Sequence, residues 1–310
     1  MINRAPILPT KPFLEGKSHW LQLVILLLLC LAGMLVFSAV SLVAGLGIFG
    51  QDVIQQPTAG FYRFSQLFTA VGSFLLPAIL FSFCHDRKWF TYNSADTAVK
   101  SWKFMLYVLL LAVLLLPITG IVVYFNQQIQ LPDSLKAVSE WMRVTEEANN
   151  HVLEVLTADH SWHTLLLNIL VCAVLPALCE EFFFRGTLQQ LFCQWMGNAH
   201  VAIWVTAIIF SAIHFQFSGF FARMLLGAYL GYLFYWSRSL WLPIFAHLLH
   251  NSLSLMLQFA IEGQNVASTE ELPLNQQLPM VLVSIALAVP LLIAVYRKRT
   301  VKDDIVSFHE

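Results

Sequence analysis

Charge is what this chain has least of. Only 11% of its 310 residues are Asp, Glu, Lys or Arg and 58% are hydrophobic, where a soluble domain averages about 25% charged and roughly 45–50% apolar. That balance excludes a water-soluble globule, a disordered chain and a collagen-like fibre. Cysteine is scarce and odd in number: Cys30, Cys84, Cys172, Cys179 and Cys193 all stand in apolar stretches. They read as small core residues rather than a disulfide framework. A net charge of −1 offers no electrostatic basis for a nucleic-acid partner. No N-x-[ST] glycosylation acceptor occurs, which favours a prokaryotic membrane. The chain reads as a membrane protein.

Apolar runs of spanning length occur near 21–49, 64–84, 103–125, 164–193, 199–217, 219–236, 240–261 and 278–296. The expected fold is an all-α polytopic transmembrane helix bundle of about eight spans. The first run is too long for a signal-peptide core and lacks a clear cleavage site, so it is read as an uncleaved anchor. With both termini in the cytoplasm, thirteen of the 17 Lys and Arg fall on that side. Only Arg63, Lys136, Arg143 and Arg223 fall towards the other, which is the positive-inside bias. The organisation follows: a cytoplasmic segment 1–20, a transmembrane bundle 21–296 and a cytoplasmic tail 297–310. Within the bundle, 126–163 is an extramembrane or interfacial segment. Its apolar positions Leu135, Val138, Trp141 and Val144 recur at helical spacing, as in a helix lying on the outer face. Residues 262–277 form a short acidic loop. No internal repeat, low-complexity tract or second domain is evident.

Ionisable groups inside hydrocarbon cost about 2.5–3.5 kcal/mol each, so a span retains them for a reason. Of the eighteen acids, only Glu180 and Glu181 stand inside a span; of ten histidines, His214, His247 and His250 do. Arg185, Asn168, Asn251 and Arg223 complete the polar set. Glu181 and Arg185 are four apart, with the acid first, so they share a helix face and pair. Glu180 is turned ~100° away and stays free for chemistry or a second partner. His247 and Asn251 share a face at the same spacing, whereas His250 faces mainly elsewhere.

Several hydrolytic chemistries are absent. None of the seven Asp lies in a span, which removes an aspartyl dyad. There is no G-x-S-x-G elbow and no H-E-x-x-H pair of zinc ligands. What remains is Glu, His, His and Asn from three helices. A carboxylate and an imidazole activate water, and an imidazole with an amide stabilises an oxyanion. A carboxylate and two imidazoles also make a divalent metal site with one open position. The residues leave these two open.

The order Glu180-Glu181-Phe-Phe-Phe-Arg185, Phe210-Ser-Ala-Ile-His214 and His247-Leu-Leu-His-Asn251, each within an apolar span, resembles the CAAX protease and bacteriocin-processing family. That family includes type 2 CAAX prenyl endopeptidases and lysostaphin-resistance-like proteins. The likeness extends to Arg185-Gly186 and Ser239-Leu-Trp-Leu-Pro-Ile-Phe-Ala-His247 and covers about 164–261, the catalytic core. The resemblance implies an eight-helix intramembrane endopeptidase whose site opens within the bilayer near the cytoplasmic side. It implies Glu180 as general base, His214 as its partner in activating water, His247 and Asn251 as the oxyanion pocket, and Glu181 with Arg185 as a supporting pair. Members are classed both as metalloproteases and as metal-independent glutamate proteases. A metallo-enzyme would bind one divalent ion, zinc, through Glu180, His214 and His247; the glutamate type needs no cofactor. Asn251 is a poor zinc ligand, which favours the glutamate type.

The partners implied are the lipid bilayer and a peptide or membrane-protein substrate, such as a leader or bacteriocin peptide. The expected location is a prokaryotic cytoplasmic membrane, crossed several times. Two other functions compete: a non-catalytic scaffold that binds or regulates another membrane protein, and a proton-coupled transporter. The paired unwound helices of transporters are not evident. One mismatch stands out. In straight helices Glu180 and His247 lie roughly 10–20 Å from the cytoplasmic edge, yet His214 lies ~22 Å in. The fifth helix must be tilted, displaced or started late, or Pro176 must shift the fourth.

Overall fold

A computed structural model describes residues 13–85, 102–262 and 273–299. The first twelve residues of the expected N-terminal segment, most of the acidic loop 262–277 and the tail beyond Arg299 lie outside the described residues.

Every regular element among the described residues is helical. In chain order they are α1 (His19–Phe49), α2 (Ala59–His85), α3 (Trp102–Gln127), α4 (Lys136–Thr157), α5 (Trp162–Met196), α6 (Ala199–Ala212), α7 (Phe220–Ser237), α8 (Trp241–Glu262) and α9 (Leu274–Arg297). Six of these, α1, α2, α3, α5, α8 and α9, are long and apolar enough to cross a membrane. The fifth and sixth expected spans are the shorter α6, 14 residues, and α7, 18 residues. α6 stops at Ala212 rather than continuing to 217. Side chains start several of these helices: Ser18, Thr58, Ser161 and Asn198 each accept a backbone N–H of the first turn. Gly197, at φ 64°, closes α5 in the left-handed region, so the chain reverses into α6 within two residues.

Two prolines leave a mark on the bundle. Pro77 and Pro176 lack an N–H and cannot complete an α-helical bond to the residue four before. Each stands two positions after a wide π turn, Val71–Leu75 in α2 and Ile169–Val174 in α5. A third π turn, Phe184–Leu188, begins three positions after Glu181. Close crossings use small residues, the usual way apolar helices pack in lipid. A Cβ on Gly33 of α1 would lie 2.0 Å from the Gly72 carbonyl oxygen of α2. A Cβ on Gly227 of α7 would lie 3.1 Å from Phe210 and 3.2 Å from Ala207 on α6.

The helices run back and forth between two ends. One end gathers the starts of α1, α3, α6 and α8 and the finishes of α2, α5, α7 and α9. There Leu14 donates to the Cys84 carbonyl at 2.9 Å, Trp20 meets Trp195, and Lys298 donates to Tyr107 at 3.2 Å. At the opposite end Asn126 of α3 bonds the Phe217 carbonyl and the Phe221 N–H, and Trp162 stacks on Phe259 at 5.1 Å. α4 lies across this second end. Leu135, just before it, and its own apolar positions Val138, Trp141 and Val144 are exposed, as the sequence pattern suggests for a helix lying on a membrane surface. Glu146 of α4 accepts from the backbone and hydroxyl of Ser218, and Asn149 donates to the Phe215 carbonyl. Those bonds tie the α6–α7 turn to the surface helix.

All five cysteines are free thiols, in line with the core reading.

Candidate active site

The site is built in two layers. The rear layer centres on Glu181, Arg185 and Phe210, none of which is more than 1% exposed. Glu181 and Arg185 pair at the i, i+4 spacing, Nη1 to Oε1 at 2.6 Å. The same Glu181 oxygen accepts from His247 Nδ1 at 2.8 Å, across from α5 to α8. Arg185 also donates through Nη2 to the Gly227 carbonyl at 2.8 Å, which brings in α7. Its guanidinium lies 4.8 Å from the centre of the Phe210 ring on α6. One ion pair thus binds four helices together. A buried pair is only as good as its additional hydrogen bonds; each partner here has one more, while Glu181 Oε2 and Arg185 Nε have no hydrogen-bond partner among the described residues.

Phe210 carries more than packing. Its ring sits 5.0 Å from that of His214 and 5.9 Å from that of His247, tilted at 63° and 78°. Edge-on aromatic contacts of this kind fix ring orientation. The pattern F-x-x-x-H was visible in the sequence, but this use of the Phe was not.

In the front layer Glu180 is 8% exposed. Its Oε2 stands 3.9 Å from His214 Nε2 and 4.0 Å from His247 Nε2, and makes no hydrogen bond among the described residues. His214 Nδ1 is 2.6 Å from the Phe210 carbonyl, which can only accept, so Nδ1 carries the proton and Nε2 faces Glu180 as an acceptor. His247 is held through Nδ1 by Glu181, which turns its Nε2 towards Glu180. Separations near 4 Å between polar atoms are those one water molecule bridges.

The mismatch of depth disappears for Glu180 and His214, and His247, only six positions past Trp241, still reaches within 4.0 Å of Glu180. Glu180 is 16 positions before Met196 and His214 is 15 after Ala199, about 24 and 22 Å along their helices. His214 sits in the turn just past Ala212, with its N–H on the Ser211 carbonyl at 3.3 Å. Asn251 lines the same space. Its amide donates to the Cys172 carbonyl at 3.5 Å, the group that Pro176 leaves without its usual helical donor.

These side chains face a cavity of about 860 Å³. Glu180, His214, His247, Asn251, His250 and Arg223 all line it. His250 therefore does not face elsewhere as its spacing suggested: α8 borders a broad cavity, not a narrow cleft, so a ring turned 60° further round (three residues on) still reaches it. Arg223 donates to Gln216, to the carbonyl at 3.1 Å and to Oε1 at 2.6 Å. The tether of Glu146 to Ser218 had no sequence signal, because the two lie 72 positions apart on elements with no shared pattern.

The donors do not suit a divalent metal as they stand. A tetrahedral zinc with bonds of about 2.0–2.1 Å sets neighbouring donors ~3.3 Å apart, and the separations here are 3.9 and 4.0 Å. Among the described residues no group of three or more His, Cys, Asp or Glu is arranged to hold a metal ion.

Outside the spans, the Thr164 hydroxyl, helped by that of Ser161, holds the Asp159 carboxyl below its ordinary range at the start of α5. On α4, hydrogen bonding to Arg143 does the same for Glu140.

Residues 162–253 match the family model described as type II CAAX prenyl endopeptidase Rce1-like. No curated protein and no solved structure matches the chain. The matched segment begins at the first residue of α5 and ends two past Asn251, so it contains both layers of the site. Over that segment, under a third of its length, the chain is similar to the Rce1-like family, which is consistent with an intramembrane peptidase of the CAAX protease and bacteriocin-processing family.

Proposed function

We propose that this chain, a multi-pass membrane bundle whose residues 162–253 are similar to the Rce1-like type II CAAX prenyl endopeptidase family, is an intramembrane glutamate endopeptidase that hydrolyses a peptide bond of a membrane-associated substrate. The observation that carries the reading is Glu180 Oε2 standing about equally far, 3.9 and 4.0 Å, from two imidazole nitrogens that line the same cavity.

The chemistry follows from the donors and acceptors. A water between Glu180 and His214 gives one hydrogen bond to Oε2 and one to Nε2, leaving a lone pair for the scissile carbonyl carbon. Glu180 takes the proton as the C–O bond forms. The carbonyl oxygen, now an oxyanion, meets two donors: the second N–H of the Asn251 amide and Nε2–H of a protonated His247. Glu181 stabilises that imidazolium through Nδ1. Glu180 then passes its proton to the leaving nitrogen as the C–N bond breaks, giving a carboxyl and an amine.

Replacing Glu180 with Gln in the purified full-length chain, assayed on a quenched-fluorescence peptide library in lipid vesicles, abolishes cleavage with an unchanged melting temperature. A chelator leaves the wild-type rate unchanged. Full activity in Glu180→Gln contradicts the reading, and a chelator-sensitive rate contradicts its metal-free form.

A further inference from the structure

The cavity sits towards one end of the bundle, and that end is opposite the termini. Its walls are the second half of α3 (Leu116 to Val123), the last turns of α8 (Ser254 to Ile261), Leu153 of α4, Gln66 near the start of α2, and Gln216 and Gly219 in the α6–α7 turn. All of these belong to the end where α4 lies. The start of α1 and the finish of α9 are at the other.

The basic residues distinguish the two ends. Arg185 is buried in the core and is set aside. Of the sixteen remaining Lys and Arg, twelve lie at the terminal end or in the sequence before α1, between α2 and α3, between α7 and α8, and after α9. They are Arg4, Lys11, Lys17, Arg87, Lys88, Lys100, Lys103, Arg238, Arg297, Lys298, Arg299 and Lys302. Only Arg63, Lys136, Arg143 and Arg223 lie towards the cavity end. Basic residues close to span ends are retained on the cytoplasmic side during insertion. α6 and α7 leave and return together, so the termini share a side whether or not each of the two is a full span.

We infer that the cavity opens at the non-cytoplasmic face, and that its substrate is a peptide or membrane-protein segment presented from outside the cytoplasm, not a prenylated C terminus delivered from the cytosol. The inference takes the peptidase reading above as its premise for the word substrate, and it reverses the cytoplasmic opening that family resemblance implies. The same site geometry serves either side, because turning the whole bundle over changes which compartment feeds it and nothing in the catalytic layer. The exposed apolar stripe of α4, with Trp141 5.3 Å from Phe217, then lies on the outer leaflet beside the mouth. A substrate segment resting at that surface reaches Glu180 without crossing the bilayer.

Membrane-impermeant maleimide labelling of full-length single-substitution variants in intact bacterial cells tests this, with the wild-type chain as background for its five native thiols. Gln56→Cys marks the cavity end, Glu15→Cys the terminal end and Leu257→Cys the cavity wall. The expected result is labelling of Gln56→Cys and Leu257→Cys in intact cells, and of Glu15→Cys only after permeabilisation. The reverse pattern overturns the inference, as does a Leu257→Cys thiol that labels from the cytoplasmic side or from neither. This readout needs no activity. Loss of the peptidase reading in the Glu180→Gln assay leaves the labelling pattern intact, and a reversed pattern leaves the hydrolysis assay intact, so the two failures are told apart.

Discussion

Glu181 is the residue on which the two layers turn, since one of its oxygens serves both Arg185 and His247. Glu181→Gln keeps the volume but loses the charge that stabilises a protonated His247. It lowers kcat about 10–100-fold with KM little changed, and steady-state kinetics on a cleaved peptide checks the split. A rise in KM with kcat unchanged would place Glu181 in substrate binding instead. Arg185→Met strands a buried carboxylate and the Gly227 carbonyl; it costs roughly 3–5 kcal/mol, read as a lowered melting temperature in detergent. Asp159 supplies a pH effect remote from the site. Its folded pKa is depressed, so its bonds to Ser161 and Thr164 contribute fully above the ordinary Asp value of 3.8 and are lost as pH falls below it. Protection of the Ser161 amide against exchange, relative to its intrinsic rate at each pH, falls in that acid window, and Asp159→Asn removes the pH dependence of that protection. At this scale the sequence was informative wherever hydrocarbon makes a polar group expensive: two acids, three histidines and an asparagine stood out, and one cavity holds the four expected catalytic groups. It was silent where the partner is a backbone carbonyl or a ring, as with Gly227 and Phe210, because neither carries a mark of its own.

Helices explain the placement. The bounds of the long spans were legible from apolar length alone, within a few residues of the observed ends. The finish of α6 was not, since Ile213, Phe215 and Phe217 continue the apolar run beyond Ala212 while the backbone turns to place His214 over Glu180. Nor were the π turns. Pro77 and Pro176 announce a disturbed helix, but its wide form depends on neighbours. The crossing of α1 and α2 gives a test of packing: Gly33→Ala places a Cβ against the Gly72 carbonyl, which lies on backbone that cannot move aside. The substitution costs about 1–3 kcal/mol and lowers the melting temperature. Activity per folded molecule is retained, because neither helix contributes a group to the catalytic layer. An unaltered melting temperature would show that α1 stands away from α2.

Across the whole molecule, the membrane is the reason the site exists in this form. The short α6 and its returning turn bring His214, Gln216 and Gly219 to the cavity at the end where α4 lies. A buried ion pair behind that cavity keeps four helices in register, so the front layer stays aligned while substrate enters. Side-chain positions in the front layer decide the account. A high-resolution cryo-electron microscopy map of the full chain in a lipid nanodisc shows them directly. The account predicts one water within hydrogen-bond distance of both Glu180 Oε2 and His214 Nε2, with His247 Nδ1 on Glu181. Density at about 2.1 Å from Glu180, His214 and His247 together, or a Glu180 turned away from both rings, would contradict it.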